Sequence, residues 1–195
     1  MSERTGTVAR KTRETDITVT VNLDGSGRAE IATGLRFLDH LFDALTRHSR
    51  MDVTLSCSGD LDIDDHHTAE DCALAFGEAF DQALGDKRGI RRFGEGHAPL
   101  DEALARAVID LSGRPFAYVD LGLRREKVGD IATEMIGHVL QSFAMGAKMT
   151  LHVELIRGQN DHHRAEAAFK ALALALRMAI AHSGHDEVPS TKGVL

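Results

Sequence analysis

Apolar residues along this chain change period several times, and each change marks an element. Ile17, Val19, Val21 and Leu23 alternate with polar neighbours, which predicts a strand over residues 17–23. Asp24 to Gly27 carries turn chemistry, and 28–33 reads as the returning strand. Phe37, Leu38, Leu41, Phe42 and Leu45 recur at spacings of three and four, a helix over about 37–47. Alternation resumes at Met51, Val53, Leu55 and Cys57, a strand over 51–58, and a second helix follows over about 66–84. Residues 85–94, with the run KRGIRRFG, read as a join. Beyond it come a strand (about 102–111), a turn (112–115), a strand (116–121), a helix (about 131–146), a strand (149–156) and a helix (about 162–182).

The second order of elements copies the first because the chain repeats itself. Asp65 His66 His67 Thr68 Ala69 Glu70 returns as Asp161 His162 His163 Arg164 Ala165 Glu166, an offset of 96 (66 to 162). Upstream the offset is 98: Phe37, Leu38, His40, Leu41 and Phe42 meet Met135, Ile136, His138, Val139 and Leu140. Strands and helices do not alternate strictly, so each half is expected to be a small sheet with its two helices on one face, an α+β unit. Two such units packed through their helices make one internally duplicated domain over 1–195, with repeats of about 1–90 and 91–195.

Composition narrows the functions open to such a domain. Lys+Arg number 23 against 30 Asp+Glu, a net charge of -7, which argues against a phosphate-tracking nucleic-acid surface. Cys57 and Cys72 make no disulfide framework and no CxxC thiolate site, and the polar start has no apolar leader region. The expectation is a soluble cytoplasmic protein that spans no membrane. Histidine is in excess, 11 of 195 residues, and the repeat organises it.

On a helix His66 and Glu70 (i, i+4) lie about 40° apart and can share a metal, whereas His67 projects about 100° from His66. Two adjacent histidines therefore suggest two ions. If the halves face each other, one ion takes His66, Glu70, His163 and His138, and the other takes His162, Glu166, His67 and His40. The angle from His67 to Glu70 is only about 60°, so helix geometry alone does not force this grouping. Three nitrogens and a carboxylate without sulfur suit Mn, Fe, Co, Ni or Zn, with open positions favouring Mn or Fe(II). The plainer alternative makes each pair of histidines a polar helix start behind a capping Asp65 or Asp161, which can also orient a ring. Two matched copies with matched outlying histidines weigh against it.

The segments GLRFLDHLFDAL, GDLDIDDHHTAEDCALAFGEAF, GIRRFG, PLDEALARAVIDLSGRP, TLHVELIRGQNDHHRAEAAFKALALALR and PSTKGVL, in this order, resemble the imidazoleglycerol-phosphate dehydratase family over nearly the whole chain. The resemblance implies a duplicated fold similar to ribosomal protein S5 domain 2. It implies two Mn2+ ions per active site, and a homo-oligomer of 24 subunits with sites completed between neighbours. The implied reaction is dehydration of imidazole glycerol phosphate to imidazole acetol phosphate in histidine biosynthesis. It further implies Glu14 as the catalytic acid/base, His48 as a substrate contact, and Arg92, Arg114, Ser190 and Lys192 as the phosphate cradle. Arg36 and the segment HSRMD (48–52) depart from the family pattern, and neither touches a proposed ligand. The terminal PSTKGVL would by itself read as a frayed end, so its role, and its ordering when substrate or phosphate binds, rest on the resemblance.

Two other classes remain at this point. A binuclear hydrolase would use the same ion pair to activate water. A non-catalytic shell glued by metal would leave Glu14, Arg92, Arg114 and Lys192 without a job.

Overall fold

The computed structural model describes residues 4–193 and 195. The first half comprises β1 (Thr5–Lys11), β2 (Thr15–Asn22), β3 (Ala29–Ala32), α1 (Arg36–Ser49), β4 (Asp52–Gly59) and α2 (His66–Leu84). The second comprises β5 (Phe93–Leu100), β6 (Ala103–Asp110), β7 (Phe116–Asp120), the short pair β8 (Lys127–Val128) and β9 (Ile131–Ala132), then α3 (Thr133–Gly146), β10 (Thr150–Arg157) and α4 (Asp161–Ala179).

Each half builds a four-stranded sheet of the same topology, β1-β2-β4-β3 and β5-β6-β10-β7. In both, the first three strands pair antiparallel and the last joins parallel, as Ala29 with Val53 and Phe116 with Thr150. The fold is therefore the expected duplicated α+β arrangement, and helices cover one face of each sheet. Alternation within the central strands directs the apolar set inward: Ile17, Val19 and Val21 of β2 are at most 1% exposed, and so are Ala105, Ala107 and Ile109 of β6.

The halves join by exchange. The long helix of each half packs on the short helix of the other, α2 on α3 and α4 on α1. Every helix sends phenylalanine into the junction, Phe42 from α1, Phe76 and Phe80 from α2, Phe143 from α3 and Phe169 from α4, all buried. Phe76 meets Phe42 edge-on with centroids 5.3 Å apart and Phe143 at 5.1 Å, an arrangement the ring quadrupole favours. Between α2 and α3 the backbones themselves touch. A Cβ on Gly77 would overlap the carbonyl oxygen of Phe143, and one on Gly146 that of Leu74.

Besides the two-residue β8 and β9, two longer strands were not legible in the hydrophobic pattern. In β5 the inward positions are Gly94, Gly96 and Ala98, because α4 runs so close that a Cβ on either glycine would overlap the backbone of Ala175 or Ala171. In β1 only Val8 is a large apolar residue facing in, and Gly6 meets the backbone of α2 in the same way. A strand whose inner face is small carries no period-two signal. The join consequently ends at Arg92 rather than Gly94. Two helix ends also move: Ile131 and Ala132 pair with β8 before α3 starts, and α4 stops at Ala179, leaving His182 in an isolated bridge with Ile90.

The glycine contact yields a stability test. Gly77→Ala should lower the unfolding free energy by about 1–3 kcal/mol through overpacking, despite the better helix propensity of alanine. Urea unfolding measures it, and an unchanged midpoint would mean that α2 and α3 separate at no cost.

Candidate active site

Two carboxylate-imidazole triads form at the N-terminal ends of the long helices. His66 and Glu70 of α2 meet His138 of α3, with His138 Nε2 3.0 Å from Glu70 Oε1 and His66 Nε2 3.7 Å from Oε2. His162 and Glu166 of α4 meet His40 of α1, with His40 Nε2 at 2.9 Å and His162 Nε2 at 3.2 Å from Glu166 Oε2. In each triad the donor atoms lie within 4.8 Å of one another, close enough to converge on one cation. The i, i+4 pair is helix geometry, and the third histidine comes from exchange of helices between halves.

The remaining two histidines go elsewhere. His67 Nδ1 hydrogen-bonds Asp60 at 3.0 Å, which pushes its imidazole above the ordinary range, and its Nε2 stands 3.8 Å from Glu14 Oε1. His163 Nδ1 bonds Glu102 at 2.7 Å. Neither joins a triad of its own chain. Within one chain the expected grouping would need α2 and α4 to face each other, whereas each faces the short helix of the opposite half. The contacts of His67 and His163 leave Nε2 as their available ligand atom, the usual role of a carboxylate behind a metal-binding ring. Glu102 is held at about 2 by the Asn160 amide, the His163 ring and the Gln159 amide, so it stays ionised beneath that ring.

The expected capping roles change as well. Asp65 does not cap α2. Its Oδ2 accepts the amide of Ala132 at the entrance to α3, while Asp64 takes the His66 amide at 2.8 Å. Asp161 accepts the amides of Arg124 and Arg125, and Asn160 caps α4 by accepting from His162 N at 2.9 Å. Asp130, in the β8–β9 hairpin, accepts the Arg36 and Phe37 amides at 2.7 and 3.0 Å and so caps α1 from the other half. Carboxylates thus pin the starts of α3 and α1, the helices that bring His138 and His40.

The triads are not identical. Phe37 packs against His162 with centroids 5.0 Å apart, and Lys170 Nζ lies 2.6 Å from Glu166 Oε1. Burial would raise the Glu166 carboxyl, but the hydrogen bonds from Lys170 and His40 outweigh it and hold the group at about 2. At the matching positions stand Met135 and Leu74. Lys170 was readable as an i, i+4 partner of Glu166. Asp60, Glu102 and Asp130 had no fixed spacing to reveal them.

Glu14 sits in the β1–β2 turn, whose Thr12 Oγ1 accepts the amides of Glu14 and Thr15 at 3.1 and 3.0 Å. His48 lies two turns beyond His40 on α1; partial burial and then Lys170 hold its imidazole below the ordinary range, against the pull of Glu166. Arg92 forks onto Asp110 at 2.6 and 3.0 Å and donates to the Pro189 carbonyl at 2.8 Å. Arg114 follows Gly113, which lies against Leu195. The tail carrying Ser190 and Lys192, where Lys192 N donates to Ser190 Oγ at 3.2 Å, is therefore anchored on both sides next to Arg92 and Arg114. His152 lies between Phe116 and Tyr118 on the outer face of the second sheet, apart from all these groups.

Comparison with known proteins agrees in one direction. Residues 33–176 match the family model described as imidazoleglycerol-phosphate dehydratase. The chain is 59% identical over 197 residues to a protein of that name from Phaffia rhodozyma, covering 98% of this chain and 96% of the other. It is 51% identical over 222 residues to another from Torulaspora delbrueckii, with both covered completely. Among solved structures it is similar to imidazoleglycerol-phosphate dehydratase from Staphylococcus aureus, with a TM-score of 0.83 at 34% identity over 92% of this chain and 99% of that one. The Pyrococcus furiosus structure in complex with (S)-C348 gives the same TM-score and identity over 96% and 100%. No described helix is long and apolar enough to cross a membrane.

The cap supplied by Asp130 carries a test of how the second triad is held. Asp130→Ala should cost about 0.5–2 kcal/mol of stability in urea unfolding. In divalent-metal titrations it should weaken the His40 triad more than the His66 triad, and equal weakening of both would show that the cap does not position His40.

Proposed function

Because the chain belongs to the imidazoleglycerol-phosphate dehydratase family and is a hydro-lyase of histidine biosynthesis, we propose that its two triads each hold a manganese ion for dehydrating imidazole glycerol phosphate to imidazole acetol phosphate. The observation that carries the reading is the pair of matched triads, each with two imidazoles and one carboxylate converging. The donor set fits a divalent ion that accepts nitrogen and oxygen, without any thiolate. The carboxylates behind His67 and His163 supply the orienting shell that metal-ligating histidines need.

Since His67 and His163 belong to neither triad of their own chain, each is assigned to an ion held by a triad of a neighbouring subunit. That makes the site a shared one in a homo-oligomer, the 24-subunit assembly implied by the resemblance, working in the cytoplasm.

The reaction takes a proton from carbon and a hydroxyl from its neighbour. Bound metal supplies Lewis-acid stabilisation of the negative charge that spreads into the substrate imidazole. The chain's own residues do the rest. Glu14, held by the Thr12 turn beside His67, moves the proton at its carboxylate. His48 contacts the glycerol portion. Arg92, Arg114, Ser190 and Lys192 bind the phosphate and fix the distance from that group to the ring, and Asp110 keeps the Arg92 fork in a single orientation.

The central experiment is incubation of manganese-loaded protein with imidazole glycerol phosphate, read by formation of the enolising ketone. Absence of turnover would end the proposal, and phosphate release without ketone would point to a hydrolase. Glu14→Gln should retain metal content and assembly while kcat falls by about 10²- to 10⁴-fold; a fully active variant removes Glu14 from the chemistry. Anomalous scattering checks the triads. His66→Ala and Glu70→Ala should each deplete the same ion and spare the other, and depletion of different ions would refute the grouping.

A further inference from the structure

The two halves hold the same hairpin turn by different means. An offset of 88 matches β1 and β2 with β5 and β6: the partners Thr5 and Asn22 become Phe93 and Asp110, and Lys11 and Asp16 become Pro99 and Leu104. Glu14 (14 + 88) therefore stands where the second half has Glu102. Glu102 spends both oxygens on holding its turn, accepting the Gln159 and Asn160 amides at 3.0 and 2.8 Å and meeting His163 Nδ1 at 2.7 Å. The Glu14 carboxylate accepts no hydrogen bond among the described residues and stands 3.8 Å from His67 Nε2. Asp60 orients His67 in its place.

Something other than its own carboxylate must then fix the Glu14 turn, and a chain of donors does so. Thr12 Oγ1 accepts the Glu14 and Thr15 amides and lies 3.3 Å from Thr15 Oγ1, which in turn donates to Asp71 Oδ2 of α2 at 2.6 Å. Because the Thr15 proton goes to Asp71, Thr12 is the donor between the two hydroxyls, and every step of the chain points toward one carboxylate. Arg10 pairs with the same oxygen. Asp71 and Thr15 are buried. The matching positions are Ala98 for Arg10, Ala103 for Thr15 and Ala167 for Asp71 (71 + 96), all buried. Three alanines thus suffice to pack this corner in the second half. A buried carboxylate carries a desolvation cost that an apolar group avoids, so stability alone does not account for the polar set beneath Glu14.

We propose that Asp71, acting through Thr15 and held by Arg10, is a positioning group for Glu14: it ties the turn to α2 and leaves the Glu14 carboxylate free for the proton. The tie lands on the helix that carries His66, His67 and Glu70, so it sets where Glu14 stands relative to His67. It rests on the reading of Glu14 as the group that moves the proton.

Thr15→Val removes the hydroxyl and keeps the shape. In the manganese-loaded protein it should lower kcat about 10- to 100-fold while KM stays within about twofold and manganese content and assembly are unchanged. Thr15→Ser restores the hydroxyl and should bring kcat back to within about threefold of the parent. Thr15→Ala copies Ala103 and replaces the valine variant if that one fails to fold. The decisive measurement is the double variant: adding Thr15→Val to Glu14→Gln should cause no further loss, because the hydroxyl acts through the carboxylate already removed. A multiplicative loss in the double variant, a loss that serine does not rescue, or weakened manganese binding by Thr15→Val would each overturn the proposal. An impaired Glu14→Gln beside a fully active Thr15→Val refutes the positioning role alone, whereas a fully active Glu14→Gln takes the role of Glu14 down and this one with it.

Discussion

Where α2 meets α3, Gly77 and Gly146 let two helix backbones come closer than any side chain would allow. That approach fixes how the halves dock, because glycine also ties each sheet to its own long helix, Gly6 of the first to α2 and Gly94 and Gly96 of the second to α4. Shape therefore passes from backbone to backbone across the molecule with few flexible side chains between. Rigid docking matters because each triad is built across the junction: a histidine from a short helix must land within hydrogen-bonding distance of a glutamate on a long helix. A half-turn of slippage would separate them.

Carboxylates complete what packing begins. Asp65, Asp130 and Asp161 spend their oxygens on backbone amides of segments distant in sequence, and two of those segments open the helices that carry His138 and His40. Asp60 and Glu102 fix two further rings through Nδ1. Much of the chain's acidic excess near the site is thus positional. Arg92 shows the same logic from the cation's side, its fork held by Asp110.

What the chain revealed beforehand depended on whether a structural role leaves a spacing. His66, Glu70, His162 and Glu166 lie on helix turns and recur at a fixed offset, so their pairing, and that of His138 and His40 with them, could be read along the sequence. The central strands β2, β4, β6 and β10 were legible because their inner residues are large and alternate. β1 and β5 were not, since close helices demand glycine and alanine there. Long-range partners such as Asp60 to His67, Glu102 to His163 and Asp130 to α1 obey no local period. Only the folded chain shows them. Repeat matching could not say that His67 and His163 reach neither triad within one chain, because it identifies equivalent positions but not which helix faces which.

Each triad takes two residues from one repeat and one from the other. A half-length chain alone would have carried only incomplete sets, but two copies docked by the same exchange of helices would have formed two identical triads at once. Joining those copies into one polypeptide released the halves from having to stay alike. Lys170 against Leu74, and Phe37 against Met135, record that divergence: one triad acquired a cation and an aromatic wall that its twin lacks. Descent from a symmetric pair would account for two similar sites, and fusion for their ability to hold different parts of one asymmetric molecule.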